Sequence, residues 1–303
     1  MRAVSWPVLL AAFGSGHEAT AHSAEGHVHP PAGLEDAWSL SPWLLVPMAA
    51  FVLLWLLGRW RGPRRPSGAG TRLGGDLAFA AAVATLFAAT LWPLDAYGEW
   101  SLAAHMGQHM LLLALAPPLL LAARPLATVA QALPAHVAQR LTATLGRPLE
   151  AAARALPAAT AAHLGVMLVW HAPLALRAAL ASDPVHWAMH ASFLLAGLWF
   201  WAAVAHIVRA RGSGLAGALA ALVTVMMVMG LMGGVFVFAN RVLYPVYVDR
   251  APQLGLDPLW DQALAGLIMW VPACLPYLVG ALWLAALGIR RTGRRRPRRI
   301  VLP

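Results

Sequence analysis

Long apolar runs alternate with short polar, arginine-bearing connections along most of the chain. Seven runs approach or exceed the roughly 20 residues that cross a bilayer core as a helix. They cover residues 42–57, 76–93, 102–123, 158–176, 185–208, 214–238 and 259–288. None alternates apolar and polar side chains as a barrel strand does, and a lipid-embedded backbone must satisfy its own hydrogen bonds. The pattern therefore predicts an all-α, polytopic membrane bundle of about seven transmembrane helices. The first run is short, so Trp43, Trp55 and Trp60 are expected to anchor it at the interfaces.

The ends of the chain read differently. Met1-Arg2, the apolar run 3–13 and Ala19-Thr20-Ala21 have the form of a secretory signal, which assigns residues 1–21 to a signal peptide. An uncleaved interfacial N-terminus is the other reading. Residues 22–41 then form an external segment rich in histidine, with His22, His27 and His29 beside Glu25. Such a tract either gathers metal weakly or is a solvated tail. The membrane domain occupies 42–289, and 290–303 is a basic tail.

Charge sets the expected orientation. The sequence has no lysine, and most of its 22 basic residues fall in alternate connections and in the tail. Arg59, Arg61, Arg64, Arg65 and Arg72 lie in the first of these, and Arg124, Arg140, Arg147 and Arg154 in the second. Arg209, Arg211 and the tail complete the set. The positive-inside bias places the N-terminus outside and the C-terminus in the cytoplasm. The net charge of +10 is then a topology signal with a tail suited to anionic headgroups, so lipid is a partner and nucleic acid is not. Residues 127–145, in the long connection between the third and fourth runs, have the spacing of a surface helix. Cys274 is the single cysteine, which excludes an intramolecular disulfide and a thiolate cage.

In that topology five histidines gather at one side of the membrane. His105 and His109 open the third run, His171 closes the fourth, and His186 and His190 open the fifth. Each H-x-x-x-H pair lies on one helix face, its members about 6 Å apart along the axis. Ionisable groups at membrane depth are costly and mark function by default. Imidazole is also the commonest side-chain ligand for transition metals. Met106, Gln108 and Met110 flank the first pair and Met189 the second. His163 lies about 12 Å deeper than His171 on a straight helix, which suits a structural or relay role. Asp261 and Gln262 open the last run after the Asp257-Pro258 cap signal. Asp261 reads either as a second cap or as a carboxylate that fixes the tautomer of a ligating histidine. Met226, Met229 and Met232 in the sixth run read as core filler. Pro117-Pro118 should disturb the third helix.

An imidazole–thioether set without thiolate suits copper, Cu(I) above Cu(II). Two other classes fit the same residues. One is a seven-span zinc hydrolase using the histidines and Asp261. The other is a haem-binding electron carrier with axial histidines from two helices.

Several motifs in combination resemble the multi-spanning, CtaG-type cytochrome c oxidase assembly factors associated with caa-type oxidases. They are H-M-G-Q-H-M-L-L-L-A-L-A-P-P-L-L-L from His105, W-H-A-P from Trp170 and H-W-A-M-H-A-S-F-L-L-A-G-L-W-F-W from His186. L-Y-P-V-Y from Leu243 and D-Q-A-L-A-G-L-I-M-W-V-P from Asp261 complete the set. The resemblance covers roughly residues 40–290. It implies a non-catalytic accessory protein of the respiratory chain in a bacterial inner membrane. Its partners would be the catalytic subunit of a haem–copper oxidase and other copper chaperones, and its cargo copper. A single-span copper chaperone shares the CtaG name, but its cysteine-based copper motif is missing here.

Overall fold

The computed structural model describes residues 29–62, 69–210 and 214–293. The expected signal peptide, residues 22–28 of the histidine-rich leader and residues 294–303 of the basic tail lie outside the described residues. The described elements are helical: α1 (Pro42–Arg61), α2 (Ala69–Thr90), α3 (Leu94–Gly98), α4 (Leu102–Met110), α5 (Ala116–Ala123), α6 (Pro125–Ala132), α7 (Ala135–Arg154), α8 (Leu156–Trp170), α9 (Pro173–Leu180), α10 (Asp183–Ala210), α11 (Leu215–Phe238), α12 (Pro258–Trp270) and α13 (Leu275–Gly293).

Six segments are long and apolar enough to cross a membrane: Pro42–Arg61, Leu73–Thr90, Leu102–Ala123, Asp183–Ala210, Leu215–Phe238 and Pro258–Arg291. The expected fourth span is α8, which is shorter, at 15 residues, and meets α7 at 84°. It stops at Trp170 instead of running on to residue 176, because Pro173 starts the separate helix α9. The chain is thus a bundle of six or seven membrane helices.

Three local departures from regular helix shape the bundle. Between α4 and α5 the third span opens into a π-helical turn, Leu111–Leu115, just before Pro117 and Pro118. Neither proline can donate to the ladder, so the turn widens there. α10 crosses at this point, where a Cβ on Gly197 would stand 2.6 Å from the Leu113 carbonyl oxygen. Only glycine fits that approach. The last span is broken at Pro272–Cys274, so α12 and α13 are separate helices. α12 packs on α11 through Gly233 and Gly266, where a Cβ on either residue would come within 2.7 Å of the other's carbonyl oxygen.

The core runs through α4, α8, α10, α11 and α12. α1 sits at the edge, packed on α6 and touching α2 through Trp55 and Phe79. Trp43 and Trp60 are exposed, as interfacial anchors should be. Trp55 is not an anchor: it is buried and stacks on Phe79 with ring centroids 4.0 Å apart. Helix periodicity turns it inward, and α1 is 20 residues long, so it needs no third anchor. Arg59 pairs with Asp76 beside it, joining the end of α1 to α2. The expected surface helix divides in two. α6 packs against α1, while α7 has no buried residue.

Candidate metal centre

Two helix starts and one helix end meet at one end of the bundle. α4 begins at Leu102, with the Ser101 hydroxyl accepting from the Ala104 amide at 3.2 Å. Its first turns carry His105 and His109. α10 begins at Asp183 and carries His186 and His190 in its first turns. α8 ends at Trp170, leaving His171 as its C-cap. The five imidazoles that the spacing singled out form one contiguous group. Ring centroids lie 4.3 Å apart for His105–His109, 4.2 Å for His186–His190 and 5.9 Å for His105–His186. His109 stands 5.7 Å from His171 and 6.1 Å from His190, so it is the hub. Phe193 closes one wall, 4.3 Å from the His109 ring.

The group is buried and short of partners. His105 and His109 are fully buried, and His171 and His190 nearly so. Among the described residues, Nε2 of His105, His171 and His190 and both ring nitrogens of His109 have no hydrogen-bond partner. A buried imidazole nitrogen left unpaired costs on the order of 1–3 kcal/mol. Several such nitrogens meeting in one place therefore need an explanation.

The backbone fixes two of the tautomers. His105 Nδ1 lies 3.3 Å from the Gly98 carbonyl oxygen, and His171 Nδ1 lies 2.6 Å from that of Met167. A carbonyl oxygen only accepts, so each Nδ1 carries the proton. Each Nε2 then keeps a free lone pair, the form in which a histidine held by an outer acceptor ligates metal. Two tyrosines of the connection after α11 brace these carbonyl-bearing turns. Tyr247 donates to the Gly98 carbonyl at 2.8 Å, and Tyr244 donates to the His171 carbonyl at 2.6 Å. Burial pushes both phenols well above their ordinary range, so both stay protonated donors.

Asp95 is a member that sequence reading did not single out. It lies on α3, the short helix between the second and third spans, with its Oδ1 3.4 Å from His186 Nε2. Gln108 donates to the same carboxylate oxygen at 2.7 Å and to the Ala89 carbonyl at 2.6 Å. Burial alone would raise the Asp95 carboxyl. The His186 and His190 rings beside it reverse that and hold it well below the ordinary carboxylate range. Asp95, His186 and His190 each offer a ligand atom, and the three atoms lie within 4.8 Å of one another. The signal for Asp95 in the sequence was an acid at the mouth of a span, two residues before Tyr97, which many surface loops share.

The remaining candidates fall into place around this core. Asp261 takes no histidine proton. Its carboxylate accepts from the Ser101 hydroxyl at 2.6 Å and from the amides of Leu102 at 2.6 Å and Ala103 at 3.3 Å. It thus pins the start of α4 to α12, while Asp257 caps α12 itself. Gln262 accepts from the Leu243 amide at 2.6 Å and donates to the Arg241 carbonyl at 3.1 Å, anchoring the connection that holds both tyrosines. Met106 and Met189 are fully buried, and Met110 lines an apolar groove between α4 and the break before α13. His163 stands apart from the five, with Nε2 2.9 Å from the Tyr277 hydroxyl and its ring tilted on Phe200.

The fold and this site define a polytopic membrane protein whose helix ends gather a buried histidine cluster. The family model described as cytochrome c oxidase caa3 assembly factor (Caa3_CtaG) matches residues 52–291, and the chain belongs to that family. No curated protein and no solved structure matched it.

Proposed function

We propose that the protein serves oxidase assembly by binding copper in the histidine cluster and handing it to the catalytic subunit of a haem–copper oxidase. The observation that carries this reading is the meeting of five imidazoles from three helices with ring nitrogens left unpaired in a buried site. Family membership supports an oxidase as the client, and the ligand chemistry supports copper as the metal. Neutral imidazoles with thioether from Met106, Met110 or Met189 and no thiolate suit Cu(I), with Cu(II) tolerated and zinc as the competing ion. Other copper chaperones are the expected donors. An assembly role is accessory, and the site is read as a carrier, not a catalyst.

The expected setting is a bacterial plasma membrane with the cluster facing outward. The arginine distribution supports that orientation. Reporter fusions at Arg65 and Arg211 are expected to behave as cytoplasmic, and fusions at Tyr97 and Gly255 as external. The reverse pattern would put the cluster on the wrong side for an outward handover.

Metal analysis with an absorption spectrum of the purified protein tests the function. Copper uptake without a haem Soret band is the expected result. Tightly held zinc that copper does not displace would favour a hydrolase, and a Soret band a haem carrier.

A further inference from the structure

We infer that the apolar groove between the third span and α13 is the seat for a transmembrane helix of the client oxidase's catalytic subunit. The inference rests on the assembly reading above and not on the metal. It names the surface by which the client meets the bundle.

The groove follows from the broken last span. α12 packs on α4, but past the break at Pro272–Cys274 α13 turns to α11 and meets the third span chiefly at its π-helical turn. The gap is walled by Gly107, Leu111 and Pro118 on one side and by Leu275, Val279 and Trp283 on the other. The buried Trp201 of α10 also lines it. The lining holds no charged side chain, so its occupant is apolar. A membrane helix presenting a ridge of large uncharged side chains meets that need.

Size favours a helix over a lipid chain. From Gly107 to Pro118 the wall runs about 16 Å, or about three helical turns. A helix with its side chains is about 10–12 Å across, so half of its cross-section over that length takes up roughly 600–900 Å³. The groove measures about 700 Å³. One alkyl chain is far thinner and leaves most of it unfilled. Position favours the client. Gly107 lies two residues from both His105 and His109, about 200° around the helix from each, so α4 carries the histidines on one face and the groove wall on the other. Leu94 and Met110, the chain neighbours of Asp95 and His109, line the groove near it. A Cβ on Gly107 would meet only the tip of Leu94, at 3.9 Å, which leaves the backbone of α4 open to close approach there. A helix seated in the groove stands about one helix width, roughly 10 Å, from the imidazoles.

The test uses the full-length protein in cells that make its oxidase. A photo-crosslinking residue is placed at Leu115 or Val279 in the groove, and at the exposed Met227 of α11 outside it. The groove positions should crosslink to the oxidase catalytic subunit, identified by mass spectrometry, and Met227 should not. Val279→Trp fills the groove from its exposed rim. It should lower the Leu115 crosslink about 10-fold or more, and oxidase activity with it, while the purified variant keeps the metal content of the wild type. Met227→Trp should change none of these. Crosslinks to lipid alone from both groove positions overturn the seat, and so does equal capture of the subunit from Met227. Wild-type crosslinking and oxidase activity in Val279→Trp overturn it too. A wild-type protein that crosslinks through the groove but binds no copper overturns the copper reading and leaves the seat standing.

Discussion

His109→Ala should insert into the membrane normally and lose its copper. The ring of His109 neighbours His105, His171 and His190, and neither of its nitrogens is engaged by another group among the described residues. Its removal takes away the hub ligand without breaking a structural hydrogen bond. The affinity loss should therefore exceed the roughly 10–100-fold that follows loss of an outer-shell partner. Cells carrying only this variant should assemble oxidase apoprotein with its haems but little activity, and added copper should restore part of it. His163→Ala is the control. It loses the bond to Tyr277, far from the five rings, and should retain copper. Full oxidase activity with normal copper content in the His109 variant would sink the proposal. Equal copper loss in both variants would point to a general packing failure.

The second large effect falls on stability. Asp261→Ala removes the acceptor shared by the Ser101 hydroxyl and the Leu102 and Ala103 amides, all at a buried contact between α12 and the start of α4. Each buried donor left without its acceptor costs on the order of 1–3 kcal/mol. The variant should unfold at markedly lower temperature in detergent and accumulate poorly. Asp261→Asn, which keeps one acceptor oxygen, should fall between it and the wild type. A wild-type melting temperature for Asp261→Ala would mean that the carboxylate does not hold α4.

The spans were legible because a bilayer imposes length and composition on each helix separately. The paired histidines were legible for a related reason: an i, i+4 spacing is a property of one helix. What escaped were features set by how helices meet. Asp95 acquires its partner only when α3 folds the connection back toward α10, and no local pattern announces that. The orienting partners of His105 and His171 are backbone carbonyls, of Gly98 and Met167, which carry no sequence signature. Asp261 showed itself as a capping-type acid at a helix start, but its donors belong to a segment about 160 residues earlier in the chain. Trp55 was misplaced because composition marks a tryptophan near a membrane boundary, while only packing shows that its ring lies on Phe79. The short α8 was read as longer because the apolar run continues through the His171 turn into α9.

The most direct measurement of the central claim is X-ray absorption spectroscopy on the full-length protein loaded with Cu(I). The account predicts a first shell dominated by nitrogen at about 2.0 Å, with the outer-shell scattering of imidazole, and loss of that pattern in His109→Ala. A shell of sulfur or oxygen alone, or a wild-type spectrum in the His109 variant, would contradict it.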